Sequence, residues 1–125
     1  MGEKQYEVIV TPFAESALLE QADYLRDRFF DDKAADNLLD QMEASIQELA
    51  FLPDRYQFVD REPWHSNNVR FYPFMGYNIY YWVNEEKMRV YIIDVISQKM
   101  NQDKRLIESL LAYYKLKPRD EGEGV

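Results

Sequence analysis

Cysteine is absent from the 125-residue chain, so neither a disulfide framework nor a thiolate zinc site can be built from it. Histidine occurs once, at position 65, leaving a single imidazole for acid-base chemistry near neutral pH. Glycine and proline are scarce, at four and five residues, and punctuate the chain between apolar runs. No apolar run approaches the roughly 20 residues that a bilayer span requires, and the opening Met1-Gly2-Glu3-Lys4 leads into a strand pattern instead of a signal peptide. The expectation is a soluble, cytoplasmic protein with no membrane partner. Positive charge is also short: a net charge of -8 speaks against a general nucleic-acid binder, whose footprint is basic.

What is present is apolar and aromatic. With 46% hydrophobic and 15% aromatic residues, the chain has the composition of a globular domain, and its length suits one core without metals or disulfides. The acid is unevenly placed. Residues 12 to 52 hold ten acidic side chains against three basic ones, whereas residues 55 to 99 hold six basic against five acidic. Most of the negative charge therefore belongs to the first half.

The pattern switches near the middle. Val69-Arg70-Phe71-Tyr72, Gly76-Tyr77-Asn78-Ile79-Tyr80-Tyr81-Trp82-Val83 and Val90-Tyr91-Ile92-Ile93-Asp94-Val95-Ile96-Ser97 are runs of β-branched and aromatic residues separated by short polar breaks. They predict a three-strand antiparallel meander. In the last run both alternating sets, Val90, Ile92, Asp94, Ile96 and Tyr91, Ile93, Val95, Ser97, are largely apolar, which predicts a central strand.

Upstream, Tyr6 to Val10 alternates as a short strand, and Thr11-Pro12 supplies an N-cap and a first helical residue. The first helix is predicted from Pro12 to Arg28 with the stripe Ala14, Leu18, Ala22, Leu25 and Phe29. Asp31-Asp32 caps a second, with Ala35, Leu38, Leu39, Met42, Ile46 and Leu49 as its stripe, ending before Leu52-Pro53. So short a connection makes the two an antiparallel hairpin. Residues 54 to 68 read as a loop carrying Arg61, Trp64 and His65. A third helix is predicted from Asn101-Gln102-Asp103, with Leu106, Ile107, Leu110, Leu111 and Tyr114 as its stripe and an end at Pro118. The expectation is one domain over residues 1–117 and a disordered polar tail over 118–125.

The order strand, helical hairpin, three-strand meander resembles the RelE/ParE toxin superfamily of type II toxin-antitoxin modules, the plasmid stabilisation toxins. Tyr6-x-Val8-x-Val10-Thr11-Pro12-x-Ala14 is similar to the family's opening, Ala34 to Leu52-Pro53 to its second helix, Val69-Arg70 to its Arg-bearing strand, Tyr77-x-Ile79-x-Tyr81-x-Val83 to its Tyr-x-Ile-x-Tyr strand, and Val90-x-Ile92-x-x-Val95-Ile96 to its closing strand. The resemblance covers residues 6 to 101. It implies an α+β fold, a growth-inhibiting toxin and a cognate antitoxin partner. The target it implies is mRNA on the ribosome, cut without metal or cofactor, or alternatively DNA gyrase, gripped without hydrolysis; a toxin-like binding module without toxicity is a third reading.

Metal-independent cleavage of RNA by its 2′-OH needs a base, an acid and a cation against the phosphorane. Arg70 and Lys99 are the expected catalytic cations, with Arg61 as helper. Where relatives commonly carry an Arg and a His at the end of the closing strand, this chain has Asp94 and Ser97. For Arg70, pairing with Asp94 across the sheet is the alternative to a phosphate contact. Tyr72 or Tyr80 would stack on a base or donate a proton, unless the aromatic residues simply pack the sheet.

Overall fold

A computed structural model describes the backbone of residues 5–122 and the side chains of residues 5–112. In chain order the elements are β1 (Glu7–Val10), α1 (Pro12–Phe29), α2 (Asp32–Gln47), β2 (Arg70–Phe74), β3 (Tyr77–Asn84), β4 (Arg89–Ser97) and α3 (Gln102–Gly122), with 3-10 turns at Glu48–Ala50 and Pro53–Arg55. The strands form one sheet in the order β1-β4-β3-β2.

The meander is as predicted: β2 pairs antiparallel with β3, and β3 with β4. The sheet is not wholly antiparallel, however, because β1 lies parallel to β4 and pairs Val8 with Val90 and Val10 with Ile92. The helical hairpin between β1 and the meander reverses the chain twice, so β1 and β4 run the same way. β4 is thus central, as its two apolar faces require.

Capping follows the sequence. Thr11 Oγ1 accepts from the Ala14 N–H at 3.3 Å and donates to the Ile92 carbonyl at 2.7 Å, so one buried hydroxyl starts α1 and ties it to β4. Asp31 Oδ1 accepts from the Ala34 N–H at 2.9 Å, and Asn101 Oδ1 from the Lys104 N–H at 3.1 Å.

The hairpin covers one sheet face. Ala14 of α1 and Leu38, Met42 and Ile46 of α2 pack against Tyr6, Tyr72, Ile79, Tyr81, Val90, Ile92 and Val95. Phe29, expected in the α1 stripe, is 59% exposed instead, because α1 ends there and the chain turns away through Phe30 in the left-handed region. The opposite face is covered by α3, through Leu106 and Leu110, and by Val59, Trp64 and Val69 of the loop before β2; beneath them lie Tyr80, Tyr91, Ile93 and Ile96. The third helix therefore packs on the sheet. Two residues of its expected stripe, Ile107 and Leu111, face outward, and Tyr114 lies beyond the described side chains. The helix also continues to Gly122 and does not stop at Pro118; one missing N–H removes a single bond of the ladder. Of the expected tail, residues 123–125 lie outside the described residues.

One irregularity matters for the chemistry. Tyr80 pairs with Asp94 but Tyr81 with Ile92, so Ile93 is an extra residue in β4, a β-bulge. It resets the alternation: Val95 joins the hairpin face, and Ile96 the α3 face. The strict period assigned those residues the other way round.

Candidate functional site

The three expected cations do not converge. Arg70 starts β2 opposite Tyr81, and its Nη1 donates to the carbonyls of Asp54 at 3.2 Å and Tyr56 at 2.5 Å while its guanidinium lies 3.9 Å over the Phe58 ring. It clamps the loop that leaves the second helix, a residue with every strong interaction directed into the protein. Asp94 is not its partner. Arg61 sits on the α3 side, where Nη2 and Nε donate to Asp103 Oδ1 at 2.5 and 3.1 Å. Lys99 lies in the turn after β4. Arg70 and Ser97 are separated by four positions of β3, since their partners there are Tyr81 and Tyr77, which is roughly 13 Å along the strand.

Asp94 is fully buried and takes Arg105 of α3 as its partner, with Nε donating to Oδ2 at 3.2 Å; Oδ1 accepts from the Val95 N–H at 2.8 Å. Burial pushes its carboxyl above the ordinary value of 3.8, and Arg105, the Val95 amide and Ser109 pull the other way. Arg105 in turn lies 4.7 Å over the Phe13 ring of α1, joining three elements. The sequence signal for this pair was hidden, because it needed both the bulge that turns Asp94 toward α3 and the docking of α3 itself.

The aromatic residues pack the sheet. Tyr72, Tyr80 and Tyr81 are each at most 3% exposed. Tyr72 stacks on Tyr56 with centroids 4.2 Å apart and shares a 2.9 Å hydrogen bond with Ser45, and burial pushes its phenol up to about 12. Tyr80 donates to Gln102 Oε1 at 2.9 Å and is also pushed up by burial. Neither offers a free face for a base, and neither releases its proton near neutral pH. His65, in the loop before β2, is near Glu62 at 3.8 Å and meets the Phe58 ring edge-on. Among the described residues, no group of three or more His, Cys, Asp and Glu side chains is placed to hold a metal ion.

What the sequence reading missed is a groove of about 620 Å³ between α1, the β2–β3 turn and the β4–α3 turn, lined by Glu20, Tyr24, Met75, Lys99 and Met100 among others. Met100 is shared with a second hollow of about 410 Å³ that extends the groove along the start of α3 past Lys104 to Glu108. The only advance signal was the pair of methionines in turns, at positions 75 and 100.

Residues 8–102 match the family model described as the ParE toxin of the type II toxin-antitoxin system parDE. That span runs from β1 to the first residue of α3. Among solved structures, the chain is similar to one in the crystal structure of the toxin-antitoxin complex RelBE2 from Mycobacterium tuberculosis, at 21% identity and a TM-score of 0.53, with 77% of this chain and 97% of that one covered. At that identity the likeness is one of fold. No curated protein matches the sequence. Among the described residues, no helix is long and apolar enough to cross a membrane.

Proposed function

The chain belongs to the ParE toxin family of type II toxin-antitoxin systems, and on that premise we propose that it halts growth by gripping a protein target, with DNA gyrase the first candidate, and does not cut RNA. One observation carries the choice: two of the three cations expected to hold a phosphate are spent elsewhere. Arg70 is committed to two carbonyls and a ring, Arg61 to Asp103, and the two stand on opposite sheet faces. Phosphorane stabilisation needs cations that converge on one point, and proton transfer needs a group that titrates near neutrality beside them. Asp94 is buried against Arg105, and Ser97 has no suitable pKa, so neither supplies an acid or base beside Lys99.

An antitoxin partner belongs to this reading, because a growth-halting protein survives in its host only when held in check. The test is induction of the chain alone, with transcript ends mapped during arrest and DNA supercoiling by gyrase assayed with the purified protein. Arrest with intact transcripts and blocked supercoiling is the expected result. Transcripts cut during arrest, with cutting lost in Lys99→Ala, would overturn it.

A further inference from the structure

The two edges of the sheet are finished differently. At β2 the outer side is closed: the Phe71 N–H donates to the Gln57 carbonyl at 3.1 Å, the Val59 N–H donates to the Val69 carbonyl at 2.8 Å, and Phe58 bridges to Arg70. Pro73, the next outward position of β2, has no N–H to offer. At β1 the outer side is open. The N–H groups of Glu7 and Thr11 donate toward β4, to the carbonyls of Met88 at 2.9 Å and Ile92 at 3.2 Å, so the alternating groups of Val8 and Val10 point away from it. Tyr6 follows the same alternation, since its N–H faces outward and is taken by the Ala50 carbonyl at 2.8 Å. Among the described residues no strand lies beyond β1 and no acceptor meets the outward N–H of Val8 or Val10, although both residues are half-buried. The strand carries no lysine, proline or bulge of the kind that blunts such an edge. Its one charge, Glu7, is held 3.3 Å from Arg89 Nε of β4.

We propose that the β1 edge is an interface for a second copy of this chain, the two β1 strands pairing antiparallel about a two-fold axis at Ile9 so that two sheets become one. The inference goes beyond the toxin reading and does not depend on it. The register follows from the groups available. With Val8 opposite Val10 of the other copy, both outward donors and both outward acceptors of each strand are used. The ladder then stops by itself on either side, because the next outward positions are Tyr6, whose N–H is already bonded, and Pro12, which has none. A slip of two residues in either direction leaves the carbonyl of Val8 or Val10 without a donor. The same register sets Glu7 opposite Thr11, so like charges do not face each other along the strand, even though each copy carries a net charge of -8. Ile9 meets its own copy as a β-branched pair with Cα atoms about 4.5 Å apart. Such a contact is isologous and closes on itself, and the blocked β2 edge prevents head-to-tail growth, so assembly ends at two copies. An extended segment of another protein offers the same backbone groups; the second copy is the better occupant because β1 matches itself in donors and acceptors, in charge and in where the ladder ends.

The experiment uses the full chain, with itself as the probe. Sedimentation over a range of concentrations should show a monomer passing to a dimer with Kd on the order of 0.1 mM, since a short strand makes a contact at the small end of interface sizes. Amide exchange followed by NMR provides a readout that needs no variant. Protection of the Val8 and Val10 amides should rise with concentration, while the Ile9 amide, which faces β4, is protected throughout. Val8→Pro removes an outward N–H without touching the ladder to β4, and it is expected to weaken self-association more than about 10-fold with an unchanged circular dichroism spectrum. Because the chain has no cysteine, Ile9→Cys places a lone thiol on the axis. Oxidised glutathione should link its copies by a disulfide much faster than it links those of Phe30→Cys, where the thiol is exposed but far from β1. These two readouts decide the matter if Val8→Pro fails to fold. A mass of one chain up to about 1 mM overturns the proposal. So does a dimer whose Val8 and Val10 amides still exchange freely, or one that a folded Val8→Pro leaves intact. Protection of those amides that appears only when a purified antitoxin is added assigns the edge to that partner and likewise overturns it.

Discussion

The two faces of the sheet are covered by different means. On the hairpin face the cover is two consecutive helices with aliphatic stripes, and among the described residues the layer beneath contains no buried charge. On the α3 face it comes from sequence-distant pieces, a loop with Trp64 at 2% exposure and a helix whose Arg105 reaches a fully buried Asp94. Local periodicity suffices to build the first. The second depends on ionic and hydrogen-bonded geometry that forms only when distant segments meet, and a buried pair resists partial disruption more than it adds stability.

The sharpest way to break that contrast is to truncate both covers. Trp64→Ala and Met42→Ala should each lower unfolding free energy in urea by about 3 to 4 kcal/mol, because both leave cavities in closed layers. A loss below about 1 kcal/mol for Trp64→Ala would mean that the loop is no wall of the core.

Next is the ion pair. Arg105→Met should cost about 3 kcal/mol by leaving the Asp94 carboxylate buried without its partner, and Asp94→Leu added to it should recover most of that loss. A double variant no more stable than the single one would show that the pair does more than compensate itself.

A smaller effect follows from pH. The Asp94 carboxyl lies above 3.8 in the folded chain, so between that value and its folded pKa the native state holds the proton more tightly than the unfolded chain does. Its contribution to stability therefore falls as pH rises through this window. The stability of the parent relative to Asp94→Asn should decline as pH rises above about 4 in paired urea titrations. A flat or rising difference would mean that Arg105 outweighs burial.

The smallest change expected lies on the hairpin side. Phe30 ends α1 at φ 52° and is 90% exposed, so Phe30→Gly relieves a left-handed strain without loss of packing. A gain of up to about 1 kcal/mol is expected, with no change in the α3-face variants. Destabilisation would show that the ring packs in solution.

The amino-acid sequence by itself determined the elements. Thr11, Asp31 and Asn101 mark helix starts, the 3.6-residue stripes mark the hairpin, and the β-branched runs mark the meander, because caps and periodicities are properties of neighbouring residues. It also carried the family resemblance. Only the tertiary structure decided the roles of the charged residues. Arg70 went to the carbonyls of Asp54 and Tyr56, Arg61 to Asp103, and Asp94 to Arg105 in place of Arg70. A one-residue bulge at Ile93 turned Asp94 toward α3, and no local pattern encodes a bulge. The groove of Tyr24, Met75 and Met100 was equally hidden, since its walls come from three segments that only folding brings side by side.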